Sequence, residues 1–454
     1  MKVIRMDRRE FLRVSAFTAS GIVLGFSSLT KDAKAVNKST LPPYLKIDLD
    51  GRIHLGVPSS EMGQGSHTGL AMLLAEELEI EMSQIHRVET IHHPDFKNEF
   101  IAAAAPAFGL QMTGYSSTIR AWYLPFRKLG ATGRELLKSA AALKWKVPVE
   151  ECFARDGRIE HSTSSRKLSY GELVKDASRI KLPKNPKLKS PKQFKLLGKS
   201  VARLDTTVKV NGTAVFGTDV DLPGMLFGTV KHCKVFGEKL ISVDDTKAKA
   251  IPGVIRVITL KDQAVVVADS TWAAMQGADA LELISTGGQK DISDESIFRK
   301  FRSDLSKSGV VAAHLGDPSK AMEDAKQLLE LEYEMPMQAH ATMEPICATA
   351  SVTADDCNIW GPVQNQDAVM GFAMSLTNLP PENIKVNTTF VGGGFGRKFE
   401  VDFIEAPIVA SKVMGKPVKV IWKREEDTQN DFFRPPTLAK MRIGLDSSGF
   451  PTAW

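Results

Sequence analysis

The sequence predicts a multidomain α+β protein, from its size and from two kinds of local pattern. A chain of 454 residues is too long for one ordinary hydrophobic core, and its 43% hydrophobic and 25% charged residues are typical of globular proteins. Stretches that alternate apolar and polar residues, as strands do, occur beside stretches with the periodicity of helices. Residues 181–199, with seven lysines and three prolines, follow neither pattern and predict an extended connector.

Charge and cysteine content argue against several classes of protein. The formal net charge of +6 is small for this length, and no aromatic stacking pattern accompanies the lysines of the connector. We therefore expect no nucleic-acid partner, although a basic patch on the connector is the alternative. The four cysteines are scattered without a C-x-x-C pair, so we expect no iron–sulfur cluster or zinc site built by this chain. Any metal would then arrive inside a ready-made cofactor.

Residues 1–35 are predicted to be a twin-arginine export signal. Arg8 and Arg9 precede an apolar stretch, residues 14–29, and the run from Ala33 to Ala35 fits a cleavage site. The apolar stretch is too short and too rich in Ser, Thr and Gly for a membrane span. We expect a periplasmic protein that is exported already folded, and an uncleaved anchor or basic tail is the alternative.

The mature chain is predicted to begin with one α+β unit, residues 36–178. Residues 44–57 alternate around Asp50 and Gly51, a dipeptide that favours a hairpin turn. A glycine-rich loop, residues 61–68, then opens a helix. Helical periodicity indicates three helices, at 70–79, 119–143 and 169–177.

Two further domains are predicted after a Lys/Pro linker. Glycine and proline breaks divide the middle region into short strands, with one helix after Thr271. The last region contains strands, a helix from about 401 to 413 and a final strand, residues 439–445, that we expect to lack its hairpin partner. The predicted boundaries are 179–202 for the linker, 203–290 for the middle domain and 310–454 for the last one.

Three loops share one design, in which small residues precede a predicted helix: residues 63–65, 113–118 and 392–396. Amides at a helix N-terminus have no internal partner and lie at the positive end of the dipole, so they bind anionic or polar ligands. Plain turn glycines are the alternative for any single loop. A nucleotide site is not expected, because Phe399 stands where a Walker loop needs Ser or Thr and Arg397 where a dinucleotide loop needs Gly.

Several sequence blocks resemble successive signatures of molybdenum hydroxylases of the xanthine oxidase and aldehyde oxidase family. The Met-Gly-Gln-Gly block comes first here, whereas it lies late in xanthine oxidase, and this order is similar to that of the isoquinoline 1-oxidoreductase beta subunits. The resemblance implies a multidomain architecture with an α/β hammerhead domain at residues 203–290. The blocks are Glu61-Met-Gly-Gln-Gly-Ser-His-Thr68, Arg203-Leu-Asp205 with Lys209-Val-Asn-Gly-Thr-Ala214 and Asp221-Leu-Pro-Gly-Met-Leu226, His340-Ala-Thr-Met-Glu-Pro345, and Gly392-Gly-Gly-Phe-Gly396.

The resemblance implies a molybdopterin-type molybdenum cofactor, as the pterin alone or in its cytosine dinucleotide form. In this family the pterin dithiolene holds the metal, so no side chain of this chain is expected to ligate it. Orientation and electrostatics are then the contribution of the protein. The implied cofactor contacts are Gly63, Gln64, Gly65, Gly114, Ser116, Ser117, Gly393, Gly394, Phe395 and Gly396.

Two further residues have roles implied by the resemblance. Gln364 would donate a hydrogen bond to an oxygen ligand of molybdenum, and Arg434 would steady negative charge that develops on the substrate. The alternatives are an ordinary polar residue at a strand end for Gln364 and a surface ion pair for Arg434. The implied reaction hydroxylates a small N-heterocycle or oxidises an aldehyde, with water as the oxygen source. The implied partners are a two-iron two-sulfur subunit and, as a candidate electron acceptor, a cytochrome c.

The chain also departs from the family pattern. Phe399 stands where purine-oxidising relatives have a glutamate, so purine substrates are not expected. The family's general-base glutamate belongs to a Gly-Glu motif near the C-terminus of the full-length polypeptide, but Glu172 and Glu238 lie in other predicted domains. The sequence therefore predicts that activity requires a complementary C-terminal chain. The alternative is a truncated, inactive remnant that acts as a cofactor-binding or interaction module.

Overall fold

The computed structural model describes residues 14–18, 21–25, 45–104 and 110–454. Helices and strands occur together along most of this length, which confirms the predicted α+β class. Within the described residues, no helix combines the length and the apolar character that a membrane crossing requires. The predicted export signal is described only at 14–18 and 21–25, so Arg8, Arg9 and the predicted cleavage site lie outside the described residues.

A five-stranded sheet with its strands in sequential order begins the structure. The predicted hairpin around Asp50 and Gly51 is present: Leu45 and Leu55 are opposite each other, and Gly51 has a φ of 83°. Two strands come from the segment predicted as an export signal, and the second of them pairs with the hairpin. Cleavage at the predicted site would therefore leave the hairpin at the sheet edge. The strands are β1 (Val14–Thr18), β2 (Gly21–Gly25), β3 (Leu45–Asp48), β4 (Ile53–Val57) and β5 (Ile85–Thr90).

Two long helices, α1 and α3, pack face to face beside this sheet. Their backbones approach so closely that a Cβ atom on Gly130 would lie 2.4 Å from the carbonyl oxygen of Leu74. The three helices predicted for this unit are confirmed with small shifts at their ends. The elements are α1 (Ser66–Leu78), α2 (Glu99–Ala104), α3 (Ser117–Trp145), β6 (Cys152–Arg155), β7 (Arg158–His161), β8 (Lys167–Ser169) and α4 (Tyr170–Ala177).

The Lys/Pro segment, residues 179–202, is extended apart from turns and one short 3-10 helix at Pro191–Gln193. Two buried carboxylates of α1 hold it in place. Glu76 accepts hydrogen bonds from the amides of Lys195 and Leu196, at 2.8 and 2.7 Å, and from the Lys189 ammonium at 2.6 Å. Glu77 accepts from the Lys189 amide as well. The part of the segment at residues 189–196 is therefore bound to α1.

The remaining elements follow the connector. Their helices are α5 (Thr206–Val210), α6 (Thr246–Lys249), α7 (Thr271–Ala280), α8 (Asp294–Leu305), α9 (Pro318–Glu323), α10 (Gln366–Thr377), α11 (Glu405–Met414) and α12 (Arg424–Gln429). Their strands are β9 (Leu226–His232), β10 (Glu238–Asp244), β11 (Val254–Thr259), β12 (Gln263–Ala268), β13 (Glu282–Gly287), β14 (Gln327–Met335), β15 (Cys347–Val352), β16 (Cys357–Gly361), β17 (Ile384–Thr388), β18 (Val418–Ile421), β19 (Thr437–Leu445) and β20 (Pro451–Ala453).

A seven-stranded mixed sheet, in the order β11-β12-β9-β18-β15-β16-β17, is the centre of this part. Helix α7 packs on β9 and β12, and α11 packs on β15 and β18. The parallel pairing of β9 with β18 joins strands of the predicted middle domain to strands of the predicted last domain. The two regions therefore share one sheet, and the domain boundaries themselves stay a prediction.

A separate three-stranded sheet, β14-β19-β20, has one charged face and one apolar face. The expectation that the strand at 439–445 lacks a partner is wrong, because β14 supplies one from earlier in the chain and β20 pairs on the other side. On the charged face, Glu330 pairs with Arg442 at 3.1 Å, and Arg302 of α8 pairs with Glu334. The apolar sheet face consists of Leu329, Leu331, Tyr333, Met335, Met441 and Ile443, which are exposed or half-buried.

Candidate functional site

Loop one, residues 61–66, connects the first sheet to α1 and closes around the carboxylate of Glu61. The amides of Gly63, Gly65 and His67 each donate a hydrogen bond to that carboxylate at 3.0 Å. Gly63 and Gly65 have φ values of 106° and 80°, which glycine adopts without strain. The prediction that residues 63–65 offer unblocked amides is wrong for Gly63 and Gly65, because the Glu61 carboxylate occupies the position of an anion.

The side chain of Gln64 is also used within loop one. Its Oε1 accepts from the Met62 amide at 2.8 Å, and its Nε2 donates to the Ser60 carbonyl and the Ser66 hydroxyl at 2.9 and 3.0 Å. These bonds fix the shape of the loop. The contact of Gln64 with a cofactor stays a prediction.

Arg203, just after the connector, completes the surroundings of Glu61. Its guanidinium lies 3.0 Å from Glu61 and 2.7 Å from Asp205, and it also donates to the carbonyl of Gly63 at 2.7 Å. Burial by itself would raise the pKa of Glu61, but hydrogen bonds from the amides of His67 and Gly65 outweigh it and hold that pKa below its ordinary value. Glu61 is therefore a buried anion that joins loop one to the end of the connector.

Loop two, residues 113–118, opens α3 and keeps its amides free. Tyr115 and Ser116 have φ values of 54° and 52°, a left-handed conformation that is uncommon outside glycine. Among the described residues, the amides of Gly114, Tyr115 and Ser116 find no acceptor. Ser117 differs, since its buried hydroxyl accepts from the Asn98 amide group and donates to the Gly114 carbonyl, both at 2.7 Å. The Ser117 side chain thus shapes the loop from inside.

Loop three, residues 392–398, also has free amides. The Gly392 amide donates to the buried carboxylate of Glu344 at 2.8 Å. The next three amides, those of Gly393, Gly394 and Phe395, have no acceptor in the part of the chain that the structure describes. Phe395 itself has a φ of 54°. Loops two and three therefore each present three consecutive amides to a ligand.

The helix predicted to start at loop three is displaced. The loop continues into 3-10 turns at Arg397–Phe399 and Asp402–Ile404, and α11 begins only at Glu405. The reason is that the side chains of Arg397 and Lys398 turn inward and are fully buried. Lys398 lies 2.7 Å from Glu344, so this lysine is not free to bind a phosphate.

The three loops meet at Gln364. Its Nε2 donates to the carbonyl of Thr113 in loop two at 2.9 Å, and its Oε1 accepts from the Gly396 amide in loop three at 3.3 Å. A Cβ atom on Gly394 would lie 2.5 Å from this Oε1 and 3.0 Å from the sulfur of Met62 in loop one. Residues more than 300 positions apart in the sequence therefore form one corner of the molecule, and the predicted convergence of the loops is observed.

Backbone strain is concentrated at this corner. Tyr115, Ser116, Ala341 and Phe395 are four of the nine non-glycine residues with positive φ among those that the structure describes. The others lie at helix C-terminal caps or in turns, where the left-handed conformation is usual. Such strain persists where surrounding contacts impose it, and it is typical of binding sites.

Solvent reaches the corner at loop one and at two aromatic side chains. A Cβ atom on Gly63 or Gly65 would meet no atom within 4 Å. The aromatic rings of Tyr115 and Phe395 are 75% and 62% exposed, which is unusual for side chains on a constrained backbone. Free amides, exposed aromatic faces and open space are the features that a large, flat, anionic cofactor requires, so the residues present fit such a group.

Arg434 lies on the segment that borders loop three. Its amide donates to the carbonyl of Gln338 at 3.0 Å, two residues before His340. Arg434 is exposed, and its guanidinium forms no ion pair with the described residues. The alternative of a surface ion pair is therefore not observed. The structure thus leaves a free positive charge in this region, and the role of Arg434 toward a substrate stays a prediction.

Sequence reasoning overlooked three acidic residues of this corner: Glu61, Glu344 and Asp431. Glu61 and Glu344 belong to the sequence blocks quoted above. Glu61 lies only two residues before Gly63, the first residue whose amide donates to it, so local spacing could have indicated this contact. Asp431 follows no motif. Its contacts with His340 and Arg397 depend on the tertiary fold.

No group of three or more His, Cys, Asp or Glu side chains within the described residues is placed to hold a metal ion. The four cysteines are all buried and unpaired, and burial raises the pKa of Cys347 well above its ordinary value and that of Cys357 to about 11. Within the described residues, the corner therefore offers amides and amide side chains to a ligand, and not a cluster of metal-ligating side chains.

Known proteins show similarity along nearly the whole chain. The beta subunit of isoquinoline 1-oxidoreductase from Brevundimonas diminuta is 27% identical, over 98% of this chain and 62% of the relative. The membrane-bound aldehyde dehydrogenase (pyrroloquinoline-quinone) of Gluconacetobacter polyoxogenes is 28% identical, over 99% and 59%. A nicotinate dehydrogenase subunit of Pseudomonas putida is 26% identical, over 96% and 37%. The chain thus spans between 37% and 62% of the length of these relatives.

Two family models cover most of the chain. Residues 13–222 and residues 303–454 each match a molybdopterin cofactor-binding domain. The first match contains loops one and two, and the second contains Gln364 and loop three. The corner at which the loops meet is therefore built from both cofactor-binding domains, and the chain belongs to the xanthine oxidase family of molybdopterin-binding subunits.

Proposed function

We propose that this chain is the molybdopterin-binding component of an oxidoreductase that hydroxylates N-heterocycles or oxidises aldehydes. Water would supply the oxygen atom, and electrons would pass to an iron–sulfur subunit. The observation that supports this proposal most strongly is the meeting of loops from both cofactor-binding domains at Gln364. The comparisons do not favour the alternative of an inactive remnant.

The contribution of this chain is to bind and to orient. The six free amides of loops two and three would hold the pterin and its phosphate, because amides of this kind bind anions without a charged side chain. Gln364 keeps one N–H that the described residues do not accept, and it is free to donate to a ligand oxygen. Arg434 would offset negative charge on a substrate. The bound cofactor would supply the two-electron oxidation chemistry.

Cofactor content tests this proposal directly. The full chain, produced in a host that makes molybdopterin, is expected to purify with molybdenum and pterin. The variant Gly394→Ala should lose most of both, because its Cβ would be forced against Gln364. Gly309→Ala is the matched control, since a Cβ there meets open space. A wild-type chain without molybdenum and pterin, or a Gly394→Ala chain that keeps them, would contradict the proposal.

We further propose a complementary polypeptide that covers the apolar sheet face. This face is exposed, although apolar surfaces of this kind are usually buried at interfaces. A small iron–sulfur subunit is the second proposed partner, and a cytochrome c is the candidate electron acceptor. Both follow from the expected need to remove two electrons.

Two leucines of β14 provide a matched test of the apolar sheet face. Leu331 belongs to that face, whereas Leu328 points to the charged face. We expect Leu331→Glu to abolish co-purification with the polypeptide that carries the family's Gly-Glu motif, and Leu328→Glu to preserve it. If no such polypeptide accompanies the wild-type chain, or if both variants behave alike, this face is not the docking surface.

Periplasmic export by the twin-arginine route remains part of the proposal, on the evidence of Arg8, Arg9 and the apolar stretch that follows them. Replacing both arginines by lysine should retain the chain in the cytoplasm. N-terminal sequencing of the periplasmic protein should begin after Ala35. A periplasmic chain that still begins with Met1 would show that the first residues are not a cleaved signal.

A further inference from the structure

A buried histidine and a buried aspartate stand beside loop three. The Nδ1 atom of His340 lies 3.0 Å from both carboxylate oxygens of Asp431, and the His340 amide donates to the same carboxylate. The Asp431 side chain is 1% exposed and that of His340 is 9% exposed. Because both the amide and the ring of His340 contact the Asp431 carboxylate, the orientation of the ring is fixed.

The aspartate also faces a buried arginine of loop three. The Nε atom of Arg397 lies 3.1 Å from Asp431, and the Arg397 side chain is fully buried between the rings of Trp422 and Phe432. Arg397 is also paired with Asp402 at 2.8 Å. Since Arg397 directly follows Gly396, its charge pair with Asp431 places this aspartate, and with it His340, beside the end of loop three.

The second ring nitrogen of His340 faces the loop. Nε2 lies 3.6 Å from the position that a Cβ atom on Gly396 would take. It forms no hydrogen bond with any residue that the structure describes. In the neutral ring, a carboxylate beside Nδ1 favours the tautomer with the proton on Nδ1, and Nε2 then has a lone pair that can accept a hydrogen bond.

We propose that His340 accepts a hydrogen bond, through Nε2, from an N–H or O–H group of the cofactor bound in front of loop three. Asp431 is then a positioning residue that sets the tautomer of the ring. This inference rests on the proposed function, and it adds a side-chain contact that neither the glycine loops nor Gln364 supplies. The three free amides next to Gly396 donate hydrogen bonds, so His340 contributes the acceptor that this group of donors lacks.

Two amide substitutions separate contact from structure. In His340→Asn, the side-chain nitrogen lies near the former position of Nδ1 and can keep the hydrogen bond to Asp431, but no atom occupies the former position of Nε2. His340→Gln places an amide near Nε2. We expect apo His340→Asn to unfold at the wild-type denaturant concentration, whereas its cofactor affinity falls about fivefold, the equivalent of one hydrogen bond. His340→Gln should stay within about twofold of wild type, because its amide oxygen can accept the same bond.

Cofactor loss is measured as molybdenum and pterin per chain after dialysis, and nitrogen NMR of labelled histidines supplies a second readout. In the apo chain, His340 should show the Nδ1–H tautomer, and its Nε2 resonance should move on cofactor loading while that of His54, which is paired with Asp48, stays. Equal cofactor retention in His340→Asn and wild type, equal loss in both variants, or an unmoved Nε2 resonance would overturn the inference. A wild-type chain that binds no pterin would instead refute the proposed function, and this inference with it.

Discussion

All three loops are rich in small residues, but the backbone amides of loop one find acceptors within the chain, whereas several amides of loops two and three do not. In loop one, three amides converge on Glu61, at 3.0 Å each, and Arg203 balances the charge. In loops two and three, three consecutive amides have no acceptor among the described residues. Most amides of loop one are thus satisfied without a ligand, whereas those at the centre of the other two loops are not.

The difference shows that a glycine-rich loop at a helix start is not by itself a binding site. An internal carboxylate can satisfy its amides and leave the loop as a rigid support. In this protein the support and the binding loops are adjacent, since Met62 of loop one would contact a Cβ atom on Gly394 of loop three. We infer that loop one positions its neighbours, and that loops two and three bind the ligand.

Removing the internal carboxylate should have the largest effect on stability. Glu61→Ala leaves the amides of Gly63, Gly65 and His67 without their acceptor and removes one of the two carboxylate partners of Arg203. Because a buried donor left unsatisfied costs roughly 1–3 kcal/mol, we expect the free energy of unfolding to fall by about 2–4 kcal/mol. Glu282→Ala is the control, because its exposed pair with Lys247 should contribute less than about 1 kcal/mol. Urea denaturation measures both. Equal losses would mean that Glu61 does not organise loop one.

Acidification should loosen loop one selectively. The pKa of Glu61 and that of Asp205 are held below their ordinary values, so each carboxylate stabilises the fold fully above its unfolded pKa of about 4, and this stabilisation is lost as the pH falls through the folded pKa. Hydrogen exchange should show protected amides at Gly63 and Gly65 near neutral pH and loss of that protection in acid. The amides of Gly114 and Tyr115 should be unprotected throughout. Slow exchange at those two positions in the apo chain would refute the comparison.

A smaller effect is expected from backbone strain in loop one. Gly63→Ala introduces a Cβ atom that meets no neighbour, so its cost is conformational and should be about 1–2 kcal/mol. Gly309→Ala meets no neighbour either, and Gly309 has no positive φ. We expect that control to be neutral or slightly stabilising. A Gly63→Ala chain as stable as the control would show that loop one adapts without strain.

The smallest expected effect is the binding of a simple anion. Inorganic pyrophosphate at millimolar concentration should shift the amide NMR signals of Ser116, Gly394 and their neighbours in loops two and three. It should leave the signals of Gly63 and Gly65 unchanged, because the amides of both residues already donate hydrogen bonds to Glu61. The gain in stability should be only a few tenths of a kcal/mol for so weak a ligand. Shifts confined to loop one would reverse the assignment of roles.

The sequence predicted the fold class, the hairpin and five of the helices, because these features depend on local patterns. The meeting of loops that lie more than 300 positions apart followed only from the resemblance, which gave them a shared cofactor. The course of the chain after Gly396 could not be predicted, because Arg397 and Lys398 are charged residues that local rules place at the surface, and the structure buries both.

Long-range ion pairs account for most of what the sequence could not show. Lys398 meets Glu344 across 54 positions, and His340 meets Asp431 across 91. Buried carboxylates of this kind have no periodicity and no fixed spacing from their partners. The strand at 439–445 was misjudged for a similar reason, since its partner β14 lies more than 100 residues earlier.

The link between Thr113 and Gln364 has a consequence for gene order. Their backbone pairing, at 2.7 Å, and the adjacent bridge of Met112 with Asn365 join the first cofactor-binding domain to the second without any help from the chain between them. A protein in which the gene segments for the two cofactor-binding domains are exchanged could assemble the same corner, provided that the connecting segments are long enough to join the domains. Rearrangement of these gene segments during evolution would then preserve the cofactor site while it changes which end of the polypeptide is synthesised first.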